Sequence, residues 1–257
     1  MERYSPIAAP EAITMGTRII FDELLARGAI DVRRGAIFDL EPDRRHPINW
    51  DRIEGMMLGL AIGDSLGNQT ESMTPRVRRA FTGEVRDYPA SAQANGRRVG
   101  TPSDDTQLAS WTLEQLVTDG ECVPANVAEC FRSDRIYGIG RTVQEFLDRM
   151  ALGVPWYEAG PQSAGNGALM RIAPVLIPHL RRQSSGLWTD TAINAMTTHN
   201  DPASISSSIG FIALLWDLLG MDDAPEPTWW LDRFLAVARD LDTGRIYRTR
   251  GQFIPGY

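Results

Sequence analysis

The sequence predicts an all-α protein that folds as a multi-helix bundle. Apolar residues recur with the 3.6-residue period of an amphipathic helix in several separate segments. Helix-start and helix-end signals flank these segments, and neither a convincing strand pattern nor an internal repeat is found. With 257 residues and 43% apolar content, the chain can bury the core of one large domain or two small ones.

The first helical segment lies in a predicted N-terminal extension, residues 1–50. Residues 17–28 place Ile20, Phe21, Leu24 and Leu25 on one stripe, and Gly28 is a typical helix end. Residues 29–50 lack a sustained helical period and contain charges and prolines, which is typical of a linker. We therefore expect two parts, the extension and a main domain over residues 51–257.

The main domain begins with a segment that is apolar on every side of the predicted helix. A helix of this kind belongs in the centre of a bundle. Gly55, Gly59 and Gly63 recur at every fourth position, and each interior glycine costs roughly 0.5 to 1 kcal/mol relative to alanine. This stripe predicts close contact with another backbone. Asp64 and Glu71 follow, where the helix is expected to meet a polar loop.

Four further segments carry helical stripes. The second stripe of the main domain contains Ala109, Leu113, Leu116 and Val117 and stops at Gly120. Residues 143–153 and 229–241 show similar patterns. Asp201 and Pro202 are typical of a helix cap and first helical position, and they precede a stripe formed by Ile205, Ile209, Ile212 and Trp216.

Charge and composition exclude several classes of protein. The net charge of −7 argues against a nucleic-acid partner, because phosphate binding requires a concentrated basic patch. Cys122 and Cys130 show neither metal-ligand spacing nor a disulfide framework, which favours a reducing compartment. The start of the chain does not resemble a secretory leader, and no apolar run reaches the roughly 18 residues of a membrane span. We expect a cytoplasmic protein without a membrane partner.

Two adjacent aspartates, Asp104 and Asp105, stand at the start of the second predicted helix of the main domain. A solvated helix start tolerates aspartate, but a helix cap requires only one such residue. A cation site is the alternative interpretation, because a bound metal ion would relieve the repulsion between neighbouring carboxylates.

Two further segments could contribute to a site. Residues 163–168 are all small and could allow backbone N–H groups to approach a diphosphate, although they match no standard phosphate-loop pattern. Taken alone, these residues favour a simple tight turn, because glycine and asparagine are ordinary turn residues. His199, just before Asp201, could contact a ligand or could serve only in a capping or hydrogen-bonded role.

Four motifs in this order, "GDSLGNQTE", "SDDT", "GNGALMR" and "TTH", resemble the ADP-ribosylglycohydrolase family over roughly residues 51–220. The resemblance implies an all-α hydrolase that removes ADP-ribose from modified protein side chains, with arginine as the expected acceptor. Serine, a nucleic-acid end and O-acetyl-ADP-ribose remain open as other acceptors. The resemblance to the family also implies that the protein binds two divalent cations, Mg²⁺ or Mn²⁺.

The resemblance also assigns roles to individual residues. Ser103, Asp104 and Asp105 would bind metal, and Glu71 and Asp105 would be catalytic. The expected substrate-binding residues are Asp64, Gly165, Asn166, Gly167, Ala168, Met170, Arg171 and His199. These residue types suit hydrolysis of a glycosidic bond. Its oxocarbenium-like transition state requires that positive charge is stabilised, that the ribose hydroxyls are held and that a water is activated.

The chain departs from the family pattern at both ends. Family members usually carry a second Asp-x-Asp-Thr motif near the C-terminus, and the similar letters at 240–243 lie at the end of an amphipathic helix. We therefore expect a C-terminally incomplete domain with weak activity. The extension is either a cover for the apolar surface of the domain or, as in an immunity subgroup of the family, a plug for an ADP-ribosyltransferase toxin.

Overall fold

Helices account for almost all regular structure in the computed structural model, which describes residues 16–43, 47–71, 73–88, 90–91, 94–181 and 183–247. The expectations for residues 1–15 and 248–257 fall outside these ranges. The α-helices are α1 (Gly16–Ala26), α2 (Trp50–Gly67), α3 (Pro75–Thr82), α4 (Asp104–Asp119), α5 (Pro124–Cys130), α6 (Arg141–Ala151), α7 (Trp156–Ala159), α8 (Gly186–Thr198), α9 (Pro202–Leu218) and α10 (Pro227–Asp240). The predicted all-α class is confirmed.

Short 3₁₀ segments and one small hairpin connect the helices. The 3₁₀ segments are Ala36–Asp39, Asn68–Thr70, Leu169–Arg171, Ala173–Leu176 and Pro178–Leu180. Strands β1 (Ala90–Ser91) and β2 (Arg97–Arg98) pair in antiparallel register, with Ala90 opposite Arg98. No helix in the described part of the chain combines the length and the apolar character that a bilayer span requires.

Helices α8 and α9 form the centre of the main core. Every residue of α8 from Leu187 to Thr198 is buried. In α9 the predicted stripe is confirmed, because Ile205, Ile209 and Ile212 are fully buried and Trp216 nearly so. The predicted cap is confirmed as well, since the Asp201 side chain accepts a hydrogen bond from the Ala203 N–H at 2.9 Å.

Helix α1 of the predicted extension packs into this same core. Phe21 and Leu24 are buried in one cluster with Ile193 of α8, and Phe21 stacks against Phe38 with ring centroids 4.4 Å apart. The hydroxyl of Thr17 donates to Asp190 of α8. These contacts support the interpretation of the extension as a cover, while the domain boundary at residue 50 stays a prediction.

Helix α2 differs from the prediction of a central helix. Ile53 is its buried apolar side chain, whereas Leu58 and Ile62 are about half exposed. An added Cβ at Gly55, Gly59 or Gly63 would meet no described atom within 4 Å. The predicted close backbone contact is therefore wrong for the described residues, and α2 lies at the edge of the bundle.

A second, smaller core joins α4, α5 and α6 through Leu108, Val127, Phe131, Val143 and Phe146. Gly120 ends α4 in the left-handed conformation, as predicted. The predicted α4 stripe is only partly correct. Ala109 and Leu116 are buried, but Val117 is 70% exposed.

Candidate active site

A polar cavity of about 340 Å³ opens where the C-terminal end of α2 meets the N-terminal ends of α4 and α6. This volume lies at the small end of the range of roughly 300 to 1,000 Å³ for small-molecule sites. Most of the site residues predicted from the sequence line it, namely Asp64, Glu71, Ser103, Asp104, Asp105, Gly165, Asn166, Gly167, Met170 and His199. Four motifs that are distant in the sequence therefore meet at one place.

Asp64 of α2 caps the N-terminus of α4. Its Oδ2 accepts hydrogen bonds from the backbone N–H groups of Ser103 at 2.7 Å and Thr106 at 3.2 Å. The hydroxyls of the same two residues also donate to the Asp64 carboxylate, each at 2.7 Å. The first N–H groups of a helix lack partners within it, and the Ser103 side chain makes no capping bond here. Asp64 supplies that cap from another helix.

Because Asp64 supplies the cap, the aspartate pair is not needed for capping α4. Asp104 is nearly buried, whereas Asp105 is partly exposed to the cavity. Burial raises the pKa of Asp104, and a hydrogen bond from the Gly140 backbone lowers it in part. Burial, followed by the charges of Asp64, Asp104 and Glu71, raises the pKa of Asp105 to about 6. Several carboxylates thus oppose one another across a small volume.

The type and charge of these residues suit a hard divalent cation. Mg²⁺ and Mn²⁺ prefer oxygen ligands, and a cation would offset the repulsion among the carboxylates. Within the residues that the structure describes, no three acidic, histidine or cysteine side chains converge closely enough to enclose a metal ion. In proteins, Mg²⁺ usually keeps several waters and is bound through only one or two carboxylates together with substrate oxygens.

The small-residue stretch lies against the imidazole of His199. An added Cβ at Gly167 would stand 2.6 Å from His199 Cε1, and one at Gly165 would stand 3.6 Å from Nε2. Gly167 is therefore required by close contact with a side chain of the protein itself. The sequence suggested close approach of a ligand, and the structure adds a packing reason for the same glycine.

Arg171 is linked to His199 through the hydroxyl of Thr198. Its Nη2 donates to the Thr198 hydroxyl oxygen at 2.8 Å, and that hydroxyl lies 3.0 Å from His199 Nδ1. Burial, and then the Arg171 charge, lower the pKa of His199 to about 3, so the ring is neutral. Because the Thr198 oxygen already accepts from Arg171, we assign its proton to Nδ1, which leaves Nε2–H as the donor.

Two of the predicted substrate-binding residues do not line the cavity. Arg171 is fully buried and also donates to the Asn194 side chain and to the Asn194 carbonyl oxygen, the latter at 2.9 Å. Ala168 is fully buried in the main core. Direct substrate contact by these side chains is not what the structure shows, because both face the interior. Arg171 is a positioning residue in this arrangement.

The loop that carries His199 is fastened by both ends of the described chain. The Asn200 side chain donates to the Ala29 carbonyl at 2.7 Å and accepts from the Asp31 N–H at 2.9 Å. The Tyr247 hydroxyl donates to Asp201 Oδ1 at 2.7 Å. Residues of the predicted extension thus help to position a residue of the cavity.

Sequence reasoning missed the segment 138–142, which also lines the cavity through Gly138, Gly140, Arg141 and Thr142. Gly138 has a φ of +79°, and an added Cβ there would lie 3.2 Å from Asp104 Oδ1. The signal was present as a Gly-x-Gly pattern just before α6. None of residues 240–243 is among the described residues that line the cavity. Asp240 instead accepts a hydrogen bond from the Ile37 N–H at 3.1 Å.

Comparison with known proteins gives consistent matches. A family model described as ADP-ribosylglycohydrolase matches residues 44–251. The chain is 30% identical over 169 residues to the ADP-ribosylarginine hydrolase Tri1 of Pseudomonas putida, covering 61% of this chain and 43% of that protein. It is 27% identical over 183 residues to the ADP-ribosyl-[dinitrogen reductase] glycohydrolase of Rhodospirillum rubrum, covering 66% of this chain and 58% of that protein.

A solved structure of an ADP-ribosylglycohydrolase-related protein complex also matches, with a TM-score of 0.52 and 30% identity. The match covers 67% of this chain and 58% of that chain. The chain spans about half the length of the curated relatives it matches.

Proposed function

Because this chain belongs to the ADP-ribosylglycohydrolase family, we propose that it hydrolyses the bond between ADP-ribose and a modified protein side chain. One observation carries the proposal. Glu71, Asp104, Asp105 and a neutral His199 line the same cavity. Paired carboxyl groups serve as acid and as base or nucleophile in glycoside hydrolysis through an oxocarbenium-like transition state.

The expected linkage is to arginine. The names of two matched relatives specify ADP-ribosylarginine hydrolases, one from Pseudomonas putida and one from Serratia proteamaculans. The acidic cavity suits a cationic leaving group, because a guanidinium beside several carboxylates is electrostatically favoured. Both points support arginine as the acceptor in this proposal.

The reaction cleaves the C1″–N bond of the ribose and forms a C1″–O bond with water. Glu71 takes a proton from the attacking water, and this proton is then passed to the leaving guanidine. Among the described residues, four carboxyl groups line the cavity, those of Asp64, Glu71, Asp104 and Asp105, and their summed negative charge stabilises the positive charge that develops on the ribose. His199 Nε2–H donates a hydrogen bond to an oxygen of the substrate.

Asp104, Asp105 and the Ser103 hydroxyl would hold the divalent cation. When bound, the cation supplies positive charge for orienting the ribose hydroxyls and the nucleophile. Asp64 contributes by fixing the start of α4, so that both aspartates face the cavity. This role explains why the Asp64 carboxylate on α2 accepts four hydrogen bonds from residues at the start of α4.

The test is hydrolysis of a peptide that carries one ADP-ribosylated arginine. In Mg²⁺ or Mn²⁺, we expect release of ADP-ribose, which falls about 100-fold or more in Glu71→Gln while peptide affinity changes only a few-fold. Glu114→Gln, an exposed change on α4, is the matched control and should leave the rate unchanged. Equal rates for Glu71→Gln and the control would contradict the role of Glu71.

Metal binding is tested separately by calorimetry. The double variant Asp104→Asn, Asp105→Asn should retain the fold and loses two formal charges, so affinity for Mg²⁺ or Mn²⁺ should fall sharply. Unchanged affinity would reject the assignment of these aspartates as metal ligands.

The described part of the extension, which begins at Gly16, offers no observation that favours the immunity alternative. The apolar stripe of α1, which suited docking in the groove of a toxin, is buried against α8. Inhibition of an ADP-ribosyltransferase toxin by the extension therefore remains only a prediction from the resemblance.

A further inference from the structure

Helix α3 stands out because none of its side chains is buried. Arg76, Arg78 and Arg79 are exposed, and so are Val77 at 50% and Phe81 at 78%. Val77 and Phe81 are four residues apart and so lie on one side of the helix. We call these five residues the α3 surface. Val77 and Phe81 together form an exposed apolar patch with arginines beside it, and contiguous apolar patches rimmed by polar residues mark interaction sites.

The α3 surface is strongly basic in an acidic protein. Residues 75–98 contain six arginines and two acidic residues, whereas the whole chain has a net charge of −7. Arg86 pairs with Glu84 at 2.7 Å and Arg98 with Asp87 at 3.6 Å. Among the described residues, no ion pair is formed by any of the three arginines of α3. Their charge is therefore available to a partner.

The position of α3 connects it to the candidate active site. Pro75, its first residue, follows Glu71 by four residues, which can span at most about 14 Å. The helix itself is about 12 Å long. A ligand whose reactive bond lies beside Glu71 would therefore place its carrier within reach of the α3 surface.

We propose that the α3 surface binds an acidic, partly apolar patch of the protein that carries the ADP-ribosylated side chain. This inference rests on the proposed function and names the recognition of its macromolecular substrate. Arginine and aromatic residues are enriched at protein interfaces, and a basic patch steers an acidic partner toward a site.

A protein partner fits better than a nucleic acid or a membrane. Val77 and Phe81 offer apolar contacts between Arg76 and Arg78, which lie about 100° to either side of Val77, whereas Arg79 lies toward the opposite side of the helix. Phosphate backbones do not use such apolar contacts. The rest of the chain carries a large negative charge, which would be repelled by a polyanion or by an anionic membrane that extends beyond α3. A local acidic patch on a folded substrate avoids that repulsion.

The test compares two arginine peptides, one flanked by glutamates and one by glutamines. Fluorescence anisotropy with unmodified peptides measures binding without turnover. We expect the wild-type protein to prefer the glutamate peptide about tenfold at low salt, and the triple variant Arg76→Gln, Arg78→Gln, Arg79→Gln to lose this preference. The control variant Arg27→Gln, Arg132→Gln, Arg239→Gln removes three other exposed arginines and should retain it.

Kinetics with ADP-ribosylated versions of both peptides complete the test. The triple variant should raise KM for the glutamate peptide about tenfold, with kcat and the turnover of free ADP-ribosylarginine unchanged. Equal affinity of the wild-type protein for both peptides would overturn the inference. So would binding to phosphatidylserine vesicles or to single-stranded DNA that depends on the three arginines, without any peptide preference.

These outcomes separate the inference from the proposed function. If no ADP-ribosylated substrate is turned over, the proposed function fails, while the anisotropy result still decides whether α3 binds acidic peptides. If turnover is observed and peptide preference is absent, the proposed function stands and the α3 inference fails.

Discussion

At the scale of single residues, the cavity concentrates negative charge at a cost to the fold. The charges of Asp64, Asp104 and Glu71 act on Asp105, which is also partly buried. In the described part of the chain, no ion pair joins any of these carboxylates to an arginine. Such an arrangement opposes folding unless a cation is bound, and this is a common property of catalytic sites.

The first prediction concerns Asp105→Asn in the presence of EDTA. The pKa of Asp105 is raised to about 6 in the folded protein, so charging this group above that pH destabilises the fold. At pH 7.5 the variant should be more stable by on the order of 1 kcal/mol, after allowance for the partial exposure of the group.

The gain should shrink as the pH falls through 6 toward the unfolded-state value, because both states then bind the proton. Thermal unfolding in EDTA at each pH measures the difference in stability between Asp105→Asn and wild type. Asp223→Asn, at an exposed position, is the control. A lower Tm for Asp105→Asn than for wild type would show that the carboxylate cluster is not strained by charge.

The second prediction concerns His199, whose pKa is lowered to about 3 by burial and by Arg171. Between about pH 6.5 and 3 the unfolded chain binds a proton at this residue and the folded protein does not, so stability falls as pH falls. His199→Gln removes that contribution. Between pH 7.5 and 5, the free energy of unfolding of the wild type should therefore drop by roughly 2 kcal/mol more than that of the variant. Urea unfolding at both pH values tests this, and parallel losses would contradict a neutral, buried ring.

At the scale of elements, the loop 163–168 packs closely against His199, the residue that follows α8, and the point of contact is Gly167. The third prediction compares two substitutions in this loop. Gly167→Ala would bring a Cβ within 2.6 Å of His199 and must displace the ring, whereas at Gly165 the nearest atom is the Ser163 hydroxyl oxygen at 3.3 Å.

We therefore expect Gly167→Ala to lower kcat/KM about tenfold or more, and Gly165→Ala to have a much smaller effect. The Tm of both variants should stay within a few degrees of wild type, since both sites border a cavity. Equal activity of the two variants would show that the position of the His199 ring does not matter for turnover.

The helices differ in how well their positions could be predicted from the sequence. Helix α9 was predictable because its signals are local, with a cap at Asp201 and an isoleucine stripe that is buried as expected. Helix α2 was misplaced because periodicity identifies apolar faces without showing which element covers each of them. Leu58 and Ile62 look like core residues in the sequence and are half exposed.

The candidate active site could also be predicted only where its signals are local in the sequence. Its motifs identified most of the cavity lining, yet the contact of Asp64 with α4 joins residues 39 or more positions apart. No local pattern contains such a bond. For the same reason the burial of Arg171 could not be predicted, since its partners Asn194 and Thr198 belong to α8.

At the scale of the whole molecule, the predicted extension is part of the main core. The fourth prediction is that Leu24→Ala, which empties a buried position between α1 and α8, lowers the free energy of unfolding by about 2 to 5 kcal/mol. Leu152→Ala is the control, because Leu152 is 85% exposed and should change stability by less than about 0.5 kcal/mol. Similar losses in urea unfolding would mean that α1 is only loosely attached.

The exposure of α3 has a consequence for proteolysis. Trypsin cleaves after arginine, and opening α3 exposes no buried side chain, so local unfolding there should cost little. We predict that brief digestion first cuts after Arg78 or Arg79, as mass spectrometry of the fragments would show. The cut separates Asp64 from Asp104 along the chain, yet both fragments contribute to the main core, where Phe21 and Leu24 of α1 pack in one buried cluster with Ile193 of α8. The nicked protein should therefore elute as one species in size-exclusion chromatography, with both halves of the cavity still held together.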